Sequence, residues 1–143
     1  MHFGRPGDYV RSWLKRWYPD LTVREAADPG GARRVLTRYF DGDLNSLDEL
    51  DVELHGTEFQ QRVWKALRTV RAGTTASYLE LANRVGAPAA VRAVGAANGA
   101  NPIAVVLPCH RIIGSNGSLT GYGGGLQRKR WLLDHEGVTR SLF

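Results

Sequence analysis

The chain has 143 residues, 43 % of them hydrophobic, and a formal net charge of +5; this suits one ordinary domain with its own core and excludes wholesale disorder. No stretch has the apolar length of a membrane span, and Met1-His2-Phe3-Gly4-Arg5-Pro6 lacks the pattern of a signal peptide, so a cytoplasmic protein with a reduced thiol is expected. Residues 1–53 hold 8 basic and 10 acidic side chains and residues 54–143 hold 11 and 4, so the second part is the one suited to a polyanion.

Asp8 can cap a helix whose Val10, Trp13, Leu14 and Trp17 share one stripe, stopped by Pro19-Asp20. Asp28-Pro29-Gly30-Gly31 opens a second helix with Ala32, Leu36, Tyr39 and Phe40 inward, ended near Asp41-Gly42. The aromatic residues of both helices read as core. Residues 41–53 are acidic and read as a connector, with a short strand at Leu50–Leu54.

Thr57 caps a third helix with Phe59, Val63, Leu67 and Val70 along one face. Ser77 and Glu80 have the spacing of a capping box for a helix through Val85. Gly86-Ala87-Pro88 breaks the chain, and Pro88 suits the first position of a helix from Ala89 to about Asn98. Two short helices around a three-residue turn form a helix-turn-helix pattern, or equally an ordinary helical hairpin. The second helix is nearly all Ala, Val and Gly with one charge, Arg92, so it is slim enough to press its backbone into a groove.

A strand is expected over Ile103–Leu107, a turn at Gly114-Ser115-Asn116-Gly117, and a glycine-rich loop at Gly121–Gly125 before a last helix, Leu126 to His135, ended by Gly137. That loop lacks the spacing of either common nucleotide-binding glycine motif, and its glycines suit a loop lying against a ligand.

The single cysteine, Cys109, follows the apolar run in the tetrad Pro108-Cys109-His110-Arg111. A lone thiol makes no internal disulfide and too small a set for structural zinc. Its neighbours are those of a reactive group: a base next door and a guanidinium two residues on. Neighbours on an extended chain point opposite ways, so a bridging water is the expected link between Cys109 and His110. A carboxylate behind the imidazole would complete a nucleophile–base–orienter set; Glu136 is one candidate, while Glu80 is committed to its capping box.

The tetrad and Ile112, with Asn101-Pro102 before them and Gly121-Tyr122 and Trp131–Gly137 after, resemble the O6-alkylguanine-DNA alkyltransferases, also called methylated-DNA–protein-cysteine methyltransferases. The resemblance runs from about Gly56 to Gly137 and includes Thr57–Trp64, Ser77-Tyr78 and Arg92–Gly95. It implies a mainly α fold of an α+β family. A helical C-terminal domain (54–143) would carry a winged-helix-like helix-turn-helix. Residues 1–53 would form a reduced N-terminal region, a helical remnant and connector lacking most of the family's usual β-sheet.

The resemblance also implies single-turnover, irreversible transfer of the alkyl group from O6-alkylguanine, and from O4-alkylthymine, in duplex DNA to Cys109. His110 would take the thiol proton through water and Glu136 would polarise His110. Tyr78 would help rotate the base out and pass it a proton, with Asn101 bracing the hinge before the active-site strand. Arg92 would fill the gap left by the extruded nucleotide. Ser77, Tyr78, Ala90, Val91, Gly95 and Asn98 would complete the minor-groove contact; Pro108, Ile112, Tyr122, Gly123 and Gly124 would line the base pocket, and Arg111 would be structural. No cofactor and no metal are implied, since the cysteines of the metal site found in some relatives are absent. The protein would act as a monomer on DNA in the cytoplasm, at the nucleoid of a prokaryote. Gly99 stands where some relatives carry a basic residue, which implies one phosphate contact fewer. Two rival readings are a non-catalytic protein that senses alkyl lesions, and a cysteine hydrolase; relatives of the first kind replace the cysteine, and no oxyanion hole marks the second.

Overall fold

The computed structural model describes residues 8–138. The reading of Met1–Pro6 therefore lies outside the described residues. Among the described residues six α-helices carry the fold: α1 (Asp8–Trp17), α2 (Ala32–Phe40), α3 (Glu58–Leu67), α4 (Tyr78–Arg84), α5 (Val91–Gly99) and α6 (Leu126–His135). Two short strands, β1 (Ala76–Ser77) and β2 (Ile112–Ile113), pair in parallel with Ala76 opposite Ile112 and Ser77 opposite Ile113. The mainly α class expected from the sequence is what is found.

Helices α3, α4 and α5 pack around Val63, Trp64, Leu67, Leu81, Val94 and Ala97, and this core extends to Leu107, Cys109 and Ile112. Trp64 fixes the crossing of α3 and α5 by donating its indole N–H to the carbonyl of Ala97 at 2.8 Å. Both N-termini follow from local chemistry. Thr57 accepts from the amide of Gln60 while the Gln60 side chain accepts from the amide of Thr57, and Ser77 and Glu80 do the same for α4.

A second core joins the two halves of the chain, Val35, Tyr39 and Leu47 packing with Val105, Val106 and Leu132. Arg68 of α3 reinforces this junction by donating to the carbonyls of Leu47 and Leu50 at 2.8 and 2.9 Å. Trp17 stacks on His55 at 4.9 Å, and the Tyr18 hydroxyl meets His55 Nε2 at 2.5 Å, so α1 is tied to the segment just before α3.

Several local expectations are corrected. No strand forms at Leu50–Leu54; a 3-10 turn, Ser46–Glu49, leads instead into unpaired extended chain. Ile103–Leu107 is not a strand either: it folds back on itself through a single bridge, Ala104 to Leu107, with Val105 at φ +74°. Among the described residues no neighbouring strand pairs with it. Helix α5 begins at Val91 rather than Ala89, because Ala90 donates to the carbonyl of Ala87 at 2.9 Å and so makes Pro88 and Ala89 the corner of a turn. Phe40 is 46 % exposed and Val10 54 %, so neither faces a core. Tyr39 and Phe40 lie about 100° apart around their helix, and only Tyr39 can point inward.

Candidate active site

Cys109 opens a 3-10 turn, Cys109–Arg111, between the folded-back loop and β2. Its thiol is buried, 5 % exposed, at the edge of the three-helix core. The loop before it is held by Asn101, which donates its amide to the carbonyl of Leu107 at 2.6 Å and accepts from the amide of Ile103 at 2.8 Å. One side chain thus satisfies both ends of the loop and keeps Val105 in its left-handed conformation, which is costly for a β-branched residue.

Burial pushes the Cys109 thiol above its ordinary range, opposed by a hydrogen bond from Asn101 and by the nearby charge of Lys129. The resting group is therefore a protonated thiol that needs a base at the moment of reaction. Burial also holds the His110 imidazole below its usual value, against the pull of Glu136, so it is neutral.

Behind His110 stands Glu136. His110 Nε2 lies 2.8 Å from Glu136 Oε1, and Arg111 donates from Nε to Oε2 at 2.9 Å and from Nη2 to Oε1 at 2.7 Å. Burial opposes ionisation of this carboxyl, but the hydrogen bonds from His110 and Arg111 outweigh it and hold its pKa down at about 2. An ionised carboxylate only accepts, so Nε2 carries the imidazole proton and Nδ1 presents the lone pair. That Nδ1 is buried and has no hydrogen-bond partner in the described protein.

Glu136 owes its position to the end of α6. The amide of Gly137 donates to the carbonyl of Asp134 at 3.0 Å and that of Val138 to Leu133 at 2.9 Å, with Gly137 at φ +80°. This is a Schellman turn, and it turns the chain sharply just after the carboxylate.

The remaining residues expected at the site fall into groups. Pro108 and Ile112 are buried against Cys109, and the Ile112 carbonyl is occupied by Lys129 at 2.5 Å. Tyr122 is half-buried; burial and the neighbouring Cys109 push its phenol well above the ordinary value. Gly123 and Gly124 follow it in a loop ahead of α6. Tyr78, at the start of α4, donates to the carbonyl of Thr120 at 3.3 Å and lies beside Gly95 of α5. It therefore bridges the helix pair and the glycine loop. Arg92 is exposed near the start of α5 and makes no ion pair among the described residues; Val91, Ala90 and Gly95 are half-buried on the same helix or its cap, and Ser77 is the cap of α4. Asn98 is a correction: it is only 3 % exposed, turned into the core and away from the surface that Arg92 occupies, because it follows Ala97 on the buried side of α5.

Two buried residues of the site have contacts that sequence reasoning misses. Lys129 has no exposed surface and donates to the carbonyls of Ile112 and Thr120 at 2.5 and 2.8 Å. Burial lowers its pKa to about 8, partly offset by Cys109. Its spacing from Leu132, Leu133 and Glu136 did place it on the inward stripe of α6, though Arg128 and Arg130 on either side disguise it as a solvated run. Tyr39 of α2 donates its hydroxyl to Glu136 Oε1 at 2.7 Å. Its signal was that a buried tyrosine needs a partner for its hydroxyl.

Residues 58–138 match the family model described as 6-O-methylguanine DNA methyltransferase, DNA binding domain. The chain belongs to this family. It is 55 % identical over 112 residues to the methylated-DNA–protein-cysteine methyltransferase of Shigella flexneri, a match covering 78 % of this chain and 66 % of that protein. The chain thus spans about two thirds of the length of that relative. The protein of the same name from Mycobacterium tuberculosis strain H37Rv is 53 % identical over 126 residues, covering 86 % of this chain and 76 % of its own length. Among solved structures, Mycobacterium tuberculosis OGT in complex with DNA superposes with a TM-score of 0.69 at 59 % identity, covering 74 % of this chain and 65 % of that one. The family resemblance in the sequence and the helical architecture of the site therefore agree.

Proposed function

We propose that the chain repairs alkylated DNA by direct transfer of the alkyl group to Cys109, as a stoichiometric reagent without cofactor. The observation that carries this reading is a lone, buried thiol next in the chain to His110, whose Nε2 meets the ionised Glu136 at 2.8 Å, all within the matched segment. The substrate is duplex DNA holding O6-alkylguanine, with O4-alkylthymine as a second substrate. The names of the relatives and the DNA-bound neighbour support it.

The proposed chemistry is a single displacement. Cys109 gives its proton through water to Nδ1 of His110, and the thiolate attacks the alkyl carbon. The S–C bond forms as the C–O6 bond breaks, and the pair of electrons leaves with the guanine. A proton reaches the departing base from the Tyr78 phenol, and proton exchange with solvent then returns the phenolate to phenol and the His110 imidazolium to imidazole, so that thiol and ether become thioether and guanine. The buried thiol is reached only by a base rotated out of the stack. Arg92, with Ala90, Val91 and Gly95, occupies the minor groove, Ser77 lies beside it, and Asn101 braces the loop that presents Cys109. The base rests among Pro108, Ile112, Tyr122, Gly123 and Gly124. Residues 54–143 carry this machinery and residues 1–53 support it. The setting is the cytoplasm, at the nucleoid of a prokaryote, and the protein is a monomer. Among the described residues no helix is long and apolar enough to cross a membrane. The lesion-sensing alternative lacks an observation in its favour, since Cys109 is present.

The test is peptide-level mass spectrometry after mixing the protein with duplex oligonucleotide containing O6-methylguanine. The expected result is one methyl on the Cys109 peptide, saturating at one per protein, and none in Cys109→Ser, which still binds the duplex. A bound lesion with no adduct would overturn the transfer reading in favour of lesion sensing.

A further inference from the structure

We propose that Tyr39 is a positioning residue of the active site, setting through Glu136 how strongly His110 holds a proton. The inference rests on the reading of Cys109, His110 and Glu136 given above. Tyr39 lies in the first third of the chain, outside the matched family segment, and none of the site residues expected from the sequence comes from that region.

The geometry is specific. Tyr39 has no exposed surface, and its hydroxyl donates to Oε1 of Glu136 at 2.7 Å. The same oxygen receives Nε2–H of His110 at 2.8 Å and Nη2–H of Arg111 at 2.7 Å, whereas Oε2 receives only Nε–H of Arg111 at 2.9 Å. A carboxylate oxygen has two lone pairs, so three donors on Oε1 compete. A donor added there draws charge away from the bond to His110, and the imidazole is less favoured in its protonated form. An imidazole that stays neutral can accept the thiol proton; one that is already protonated cannot.

Tyr39 is itself held rigidly. His135 Nε2 meets its backbone oxygen at 2.8 Å, and the rings of Tyr39 and His135 meet edge to face at 5.2 Å. The titratable and charged groups that face the His110–Glu136 pair are Arg111, Tyr39 and Lys129, with Tyr122 and His135 facing Tyr39. Of these, Tyr39 is the one neutral donor on the carboxylate, so its hydroxyl can be deleted without changing the charge of the site.

Tyr39→Phe in the full chain removes that hydroxyl and keeps the ring. Rates of methyl transfer from O6-methylguanine duplex, and of Cys109 alkylation by iodoacetamide, are measured from about pH 5 to about pH 9. Loss of one charge-assisted hydrogen bond predicts that the acid limb of both profiles moves up by about one pH unit, with about a tenfold loss on that limb and little change on the alkaline side. Superimposed profiles, or an equal loss at every pH with a lowered melting temperature, would assign Tyr39 to packing alone and overturn the proposal. If wild type reacts with iodoacetamide but transfers no methyl, the repair reading fails while the iodoacetamide limb still decides the role of Tyr39. Should Tyr39→Phe not fold, 3-fluorotyrosine placed at position 39 is a stronger donor and should move the limb down; an unmoved limb counts against the proposal.

Discussion

Lys129 carries a cation into the interior with two carbonyls, those of Ile112 and Thr120, to receive it. Its charge, after the Asn101 hydrogen bond, is among the influences that lower the Cys109 thiol against burial. Lys129→Met, similar in length but uncharged, should move the alkylation profile of Cys109 to more alkaline pH and lower the melting temperature, since two buried carbonyls lose their donor. Titration of the single thiol with iodoacetamide checks this. Glu136 gives a second prediction. Its folded pKa of about 2 lies below the ordinary value of 4.5, so its stabilisation is complete above the unfolded value and is lost as pH falls through the folded one. The difference is on the order of 3 kcal/mol. Urea unfolding should show wild type weakening steeply between those two values, whereas Glu136→Gln should start less stable at neutral pH and change far less.

At the scale of elements, α5 separates the demands of folding from those of binding. A Cβ added at Gly95 would meet only the Tyr78 ring, at 3.8 Å, which is ordinary contact. Gly95→Ala should therefore stabilise the helix by up to about 1 kcal/mol, yet weaken duplex binding if this face presses into the groove. Melting curves and gel shifts read the two effects separately. Arg92→Ala should spare the fold and reduce repair of duplex far more than reaction with free alkylated base. The caps of α3 and α4 were legible because Thr57, Gln60, Ser77 and Glu80 act within one turn. The PCHR tetrad and Glu136 were legible through family resemblance, though spacing alone could not bring them together. Ile103–Leu107 misleads because five apolar residues in a row look like a buried strand. Its shape is decided by Asn101, whose amide takes the Leu107 carbonyl that a strand would have shared with a neighbour. Tyr39 is legible as core from its place on the helix; what no local pattern supplies is the carboxylate 97 positions away.

Across the whole molecule, residue 53 marks the approach to the matched family segment rather than a break in packing. Val35, Tyr39 and Leu47 share a core with Val105, Val106 and Leu132, and Arg68 binds the carbonyls of Leu47 and Leu50. A chain shortened to residues 54–143 should therefore melt well below the full chain, because the second core loses half its members and Arg68 its acceptors. Calorimetry of the two forms checks this, and equal melting temperatures would mean that the second core contributes nothing to stability. The opposite charges of the two regions fit the proposed division of labour, in which the basic part is the one suited to a polyanion.

The burial of Cys109 also bears on how such a molecule waits. A reagent used once spends nearly all its existence idle, among peroxides and electrophiles that consume exposed thiolates. A thiol that is 5 % exposed and held in its protonated form offers those oxidants little. Under the proposed chemistry, the same seclusion that demands a rotated base and a borrowed proton acceptor gives the protein a long shelf life, ending when a lesion arrives.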